Sequence, residues 1–118
     1  MTTIKSYTDL EQSKKLAKIL PLESADYHYI VQGEKSYFYS YSLSSDAIKD
    51  YDEEIKYIPC WSLAALLGVL PSGYVIVKNY HSFYFVESRG HERSTNIFNS
   101  PIDACVAMIG KLYELNLL

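Results

Sequence analysis

The chain has 118 residues, a formal charge of −3 and two cysteines. This length suits a single domain over residues 1–118, large enough to bury roughly two-thirds of its unfolded surface without a disulfide or a metal. An acidic balance disfavours nonspecific nucleic-acid binding, because Lys and Arg neutralising phosphates supply most of that affinity, and only Lys14, Lys15 and Lys18 cluster here.

Thr8-Asp9-Leu10-Glu11 has the pattern of a helix-capping box, and Leu10, Ser13, Leu16, Ala17 and Leu20 follow at helical spacing until Pro21 ends the run. Tyr27-His28-Tyr29-Ile30-Val31 reads as a strand. Gln32-Gly33-Glu34-Lys35 reads as a turn, and KSYFYSYS (residues 35–42) as the returning strand of a hairpin. The polar, acidic segment SLSSDAIKDYDEEIK then links the two halves. Residues 62–70 predict a second helix, capped by Ser62 or begun earlier at Pro59; being apolar almost all round, it should be the most buried one. Residues 74–78 and 82–87 predict a second hairpin, joined near Asn79-Tyr80. The last helix starts with Ser100 as cap, Pro101 in the first turn and Asp103 facing the dipole; Ile102, Cys105, Val106, Ile109, Leu112 and Tyr113 form its apolar face.

The halves echo each other. Leu16-Ala17-Lys18-Ile19-Leu20-Pro21 parallels Leu66-Leu67-Gly68-Val69-Leu70-Pro71, and Ser36-Tyr37-Phe38-Tyr39 parallels Ser82-Phe83-Tyr84-Phe85. Two αββ units and a closing helix give an α+β fold of order αββαββα. The layout expected is one four-stranded, mainly antiparallel sheet with helices packed on one face.

Tyrosine is the compositional anomaly, with 12 residues. Tyr37, Tyr39 and Tyr41 alternate, so an extended strand puts them on one face. Their counterparts Phe83 and Phe85 are aromatic too, which favours a core-facing row; the competing reading is a platform on which bases stack.

Few residues suggest chemistry. Arg89, His91 and Arg93 share a polar loop suited to a small anion or an acidic partner, although Glu87 and Glu92 offset its charge. His28, His81 and His91 stand one per segment, which favours hydrogen-bonded or solvated rings over catalysis or metal binding. Cys60 and Cys105 form no CxxC pair and read as buried thiols of a reducing compartment. The acidic run from Asp46 to Glu54 lacks a calcium-loop pattern. No catalytic or phosphate-binding motif is present, so no cofactor or metal is expected. The N-terminal residues lack an apolar signal region and no segment reaches a membrane span, so a cytoplasmic setting is expected.

The runs Ile58-Pro59-Cys60-Trp61-Ser62-Leu63-Ala64-Ala65-Leu66-Leu67 and Pro101-Ile102-Asp103-Ala104-Cys105-Val106-Ala107-Met108-Ile109 resemble helices in a group of small proteins from gut-bacterial prophages and integrative elements. The group carries no assigned activity, so the resemblance implies a mobile-element accessory role and no functional residues.

The function expected is a non-enzymatic interaction module that binds a protein partner or itself through a sheet edge or a tyrosine-bearing face. The alternatives are nucleic-acid or nucleotide binding through Arg89, His91, Arg93 and the tyrosines, and a small hydrolase using Cys60 or a histidine.

Overall fold

A computed structural model describes residues 5–43, 55–89 and 93–118. Asp9, rather than Thr8, caps the first helix, α1 (Leu10–Ala17): the Gln12 amide donates to its carboxylate at 2.8 Å and its own amide donates to the Gln12 side chain at 3.1 Å. Thr8 is fully buried and its hydroxyl serves tertiary structure instead, accepting from the Trp61 amide at 3.1 Å and pairing with the Ser13 hydroxyl at 2.7 Å. Past Pro21, a 3₁₀ turn (Leu22–Ser24) leads into β1 (Tyr27–Gln32). Gly33, with φ +60°, makes the tight reversal into β2 (Lys35–Tyr39).

The expected linker and early helix start give way at residues 55–60 to a strand, β3 (Ile55–Cys60). Ile55, Tyr57 and Pro59 alternate with Lys56, Ile58 and Cys60, and an edge position tolerates the proline that elsewhere would break a ladder. Ser62 then caps α2 (Leu63–Val69), accepting from the Ala65 amide at 3.2 Å. The second hairpin, β4 (Tyr74–Lys78) and β5 (Tyr84–Ser88), turns through Tyr80, His81 and Ser82, with Ser82 in the left-handed region (φ 64°). Asn79 holds this loop, its side-chain oxygen accepting from the His81 and Phe83 amides at 2.9 and 3.0 Å. The closing helix, α3 (Pro101–Glu114), begins as the sequence predicts: Pro101 stands in the first turn and the Ser100 hydroxyl accepts from the Asp103 amide at 3.1 Å.

Among the described residues the order is therefore αβββαββα, and their strands form two antiparallel sheets instead of the single four-stranded one expected. The three-stranded sheet runs β2-β1-β3; the two-stranded sheet is β4-β5. The hairpins do not join: β3 takes the edge of β1, pairing from Tyr27 with Cys60 to Gln32 with Ile55. The outer side of β5 is taken as well. Tyr84 and Phe98 exchange backbone bonds at 2.8 Å, Val86 accepts from Thr95, and Ser88 donates to Arg93.

Nor do the helices share one sheet face. α1 packs on β3, α3 packs chiefly on β5, and α2 packs on α3. The larger apolar cluster unites Leu16, Trp61, Leu66, Val86, Ile102, Met108, Ile109 and Leu112 between α1, α2, α3 and the second sheet. A smaller one holds Tyr29, Ile58 and Cys60, with Tyr7, Leu10, Tyr27, Val31 and Phe38 packed around it. Fully burying each Leu, Ile, Val or Met of these clusters stabilises by about 1.5–3 kcal/mol. In α2 only Leu66 is buried, while Ala64, Leu67 and Gly68 face outward, so α2 is a covering helix and α3 the central one.

Candidate functional site

The register of the first hairpin decides where the tyrosines point. Tyr37 lies opposite Ile30, Phe38 opposite Tyr29, and Tyr39 opposite His28. Tyr29 and Phe38 belong to the apolar cluster beneath α1, so the alternating tyrosines lie on the other face. Tyr37 and Tyr41 are 46% and 60% exposed. The core-facing row expected from the sequence is thus overturned. The inward place goes to Phe38, a ring without a hydroxyl, which stacks on Tyr7 at 4.0 Å and meets Tyr27 edge-on at 5.4 Å.

On the tyrosine side, His28 is the buried centre. Tyr39 stacks on its ring at 5.1 Å, Tyr41 meets it edge-on at 4.9 Å, and its Nδ1–H donates to the Tyr41 carbonyl at 2.8 Å. That bond sets the ring's tautomer and pins the chain just after β2. His81 is exposed in the second hairpin loop.

The structure does not bring the arginines to the tyrosines. Arg89 stands at the end of β5, in the second sheet, with its guanidinium 71% exposed and 3.7 Å from Glu87. Arg93 is half-buried, its amide donating to the Ser88 hydroxyl at 2.9 Å. His91 lies outside the described residues, as does the whole acidic run from Asp46 to Glu54.

Both thiols are buried. Burial pushes the Cys105 thiol up to about 12. Burial also raises Cys60, against the hydrogen bonds from Thr8, Ser13 and Tyr29 that favour the thiolate. Its Sγ lies 3.4 Å from the Thr8 hydroxyl and donates to the Thr8 carbonyl at 3.3 Å, and the Tyr29 hydroxyl donates to that same carbonyl at 2.8 Å. Such a thiol fastens the start of α1 to the sheet and is a poor nucleophile. Among the described residues, no group of three or more His, Cys, Asp or Glu is placed to hold a metal ion, and no helix is long and apolar enough to cross a membrane.

The second hairpin has a backbone phase that no residue pattern signals. The backbone groups of Tyr84, Val86 and Ser88 turn away from β4, toward residues 93–98. Because strand groups alternate in direction, Phe85 and Glu87 bond to β4, at Val77 and Val75. Gly73 accepts from Arg89 at 2.6 Å and Asn79 donates to Phe83 at 2.8 Å, extending the same phase at both ends. The amides and carbonyls of Tyr74, Ile76 and Lys78 therefore point out of the sheet, and no described backbone group pairs with them. Val75, Val77 and Phe85, half-buried, share the face turned away from α3, beside the fully exposed Tyr80. A shallow concavity of about 510 Å³ opens there between Val77, Lys78, Asn79, Tyr80 and Phe85.

No family model, no curated protein and no solved structure matches this chain.

Proposed function

We propose that the chain is a non-enzymatic interaction module that takes an extended protein segment as an added strand along β4. The observation carrying this reading is the outward row of backbone donors and acceptors at Tyr74, Ile76 and Lys78. A strand edge of this kind supplies affinity through main-chain bonds, and the side chains beside it supply selectivity. The selective element is the face of Val75, Val77 and Phe85, rimmed by Tyr80 and by Glu87 opposite Val75. The mobile-element setting implied by the motif resemblance belongs to the same proposal.

Nucleic-acid binding is the weaker reading. The exposed tyrosines and the arginines lie on different sheets, and Glu87 sits against Arg89. Base stacking needs cations beside the rings, and β2 offers only Lys35.

The test is a library of extended heptapeptides displayed against the full chain, with residue-resolved amide exchange on whatever binds. Binders that slow exchange at Tyr74, Ile76 and Lys78 support the reading. Lys78→Pro, which removes an outward donor and no bond to β5, should abolish them. Binders that protect only other regions, or none at all, overturn it.

A further inference from the structure

Resting on that reading, we infer that the segment that pairs with β4 is β4 of a second copy, joined antiparallel about a two-fold axis through Ile76. The phase of the edge makes this register self-complementary. Its outward residues are Tyr74, Ile76 and Lys78, so a two-fold at Ile76 sets Ile76 against Ile76 of the second copy and Tyr74 against its Lys78. Each of these is a bonded pair of the antiparallel ladder, so every outward amide and carbonyl from Tyr74 to Lys78 finds a partner. A register slipped by one residue would set outward groups against positions whose own groups are bonded to β5.

Charge selects the same arrangement. Lys78 is the only ionic residue of Tyr74-Val75-Ile76-Val77-Lys78. Antiparallel pairing puts the two lysines at opposite ends, each beside a tyrosine ring, whereas parallel pairing would set them side by side. Lys78 already leans on an aromatic, its Nζ 5.9 Å from the centre of the Tyr84 ring.

The helix leaves room for the second copy. α3 packs chiefly against β5, away from the β4 edge, so the two copies of α3 would flank the joined sheet on one side. On the other side Val75 and Val77 of both copies would merge into one apolar strip, flanked on β5 by Phe85 and Glu87. The product is a four-stranded antiparallel sheet, β5-β4-β4-β5. A five-residue edge is small beside the roughly 1,200–2,000 Å² of standard interfaces, so the association is concentration-dependent.

Sedimentation of the full chain from micromolar to millimolar concentration, with residue-resolved amide exchange at both ends, tests this. The expected result is a monomer–dimer equilibrium in which Tyr74, Ile76 and Lys78 gain protection on concentration, while Val75 and Val77 are protected throughout. Lys78→Pro should weaken the dimer roughly ten- to hundredfold, each interface losing a donor from both copies. If that variant is misfolded, seen as lost protection at Val75 and Val77, the wild-type exchange pattern decides alone. A strict monomer overturns the inference, and so does a dimer in which the Tyr74, Ile76 and Lys78 amides exchange as freely as in dilute solution. Library peptides that still protect these amides in such a monomer would leave the strand-addition reading standing; if they too fail, both fall.

Discussion

The two sheets handle aromatic side chains differently, and different segments flank their outer strands. In the three-stranded sheet, Tyr7, Tyr27, Tyr29 and Phe38 interlock beneath α1, and on the reverse side His28 is packed between Tyr39 and Tyr41. Its β3 edge carries Pro59 and runs on to Trp61, where the chain pairs with Thr8. The two-stranded sheet has one buried face, built on Val86, and its β4 edge meets no described backbone group. A lone hairpin is marginal in water, so this one depends on α3 and on residues 93–98 for its stability. The comparison teaches that interlocked rings distinguish the first sheet, and that the phase of the backbone bonds distinguishes the outward donors and acceptors of β4 in the second.

Breaking the junction between the two should have the largest effect. Trp61 is fully buried in the larger cluster, next in sequence to Cys60 of the smaller one, and its indole N–H donates to Ser24 at 2.9 Å. Trp61→Ala should cost about 3–5 kcal/mol in denaturant titrations. Amide protection should fall in both sheets together; loss confined to one would mean that the clusters are independent.

Thr8→Val sharpens the contrast on the first-sheet side. It keeps the shape but leaves the Ser13 hydroxyl and the Trp61 amide without their partner, at a cost of about 1–3 kcal/mol in the denaturation midpoint. An unchanged midpoint would show that this buried hydroxyl does not fasten α1. On the second sheet, Val86→Ala should cost about 1.5–2 kcal/mol, whereas Phe85→Ser, on the face away from α3, should cost about 1 kcal/mol or less. Equal losses at these neighbours would mean that both faces are packed.

The smallest effect is electrostatic. Asp103 is partly buried, which alone would raise its pKa. Hydrogen bonds from Lys5 and Gln12 outweigh that and hold the carboxyl below its ordinary value of 3.8. A depressed folded pKa contributes stability that is complete above the unfolded value and lost as pH falls through the folded one. Asp103→Asn should therefore lower stability by less than about 1 kcal/mol near neutrality, with the gap to wild type closing in acid. A gap independent of pH would show that the ion pair with Lys5 contributes nothing.

Much of this fold was legible in the sequence. Ser100-Pro101 marked the last helix, Gly33 the first hairpin and the residue pattern of 74–78 the fourth strand, because caps, turns and alternation act locally. The third strand was not legible, since Pro59 and the acidic stretch before Ile55 argue locally against it and its pairing with β1 is long-range. The echo between the halves identified equivalent positions but put them on the wrong face: Tyr37 and Tyr39, like Phe85, turn away from the helices. Alternation says which residues share a face; only the register with Tyr29 and Val86 says which face is covered. The β4 edge, which no described backbone group occupies, had no local signature, because it depends on which side of β5 residues 93–98 occupy.

The two cysteines have a practical consequence. Cys60 is sealed within the smaller cluster and Cys105 within the larger, both at 0% exposure. An alkylating reagent can reach each sulfur only when the surrounding shell parts, so its labelling rate times that parting. Followed one thiol at a time, the native chain carries a separate stopwatch for each cluster, with no engineered probe.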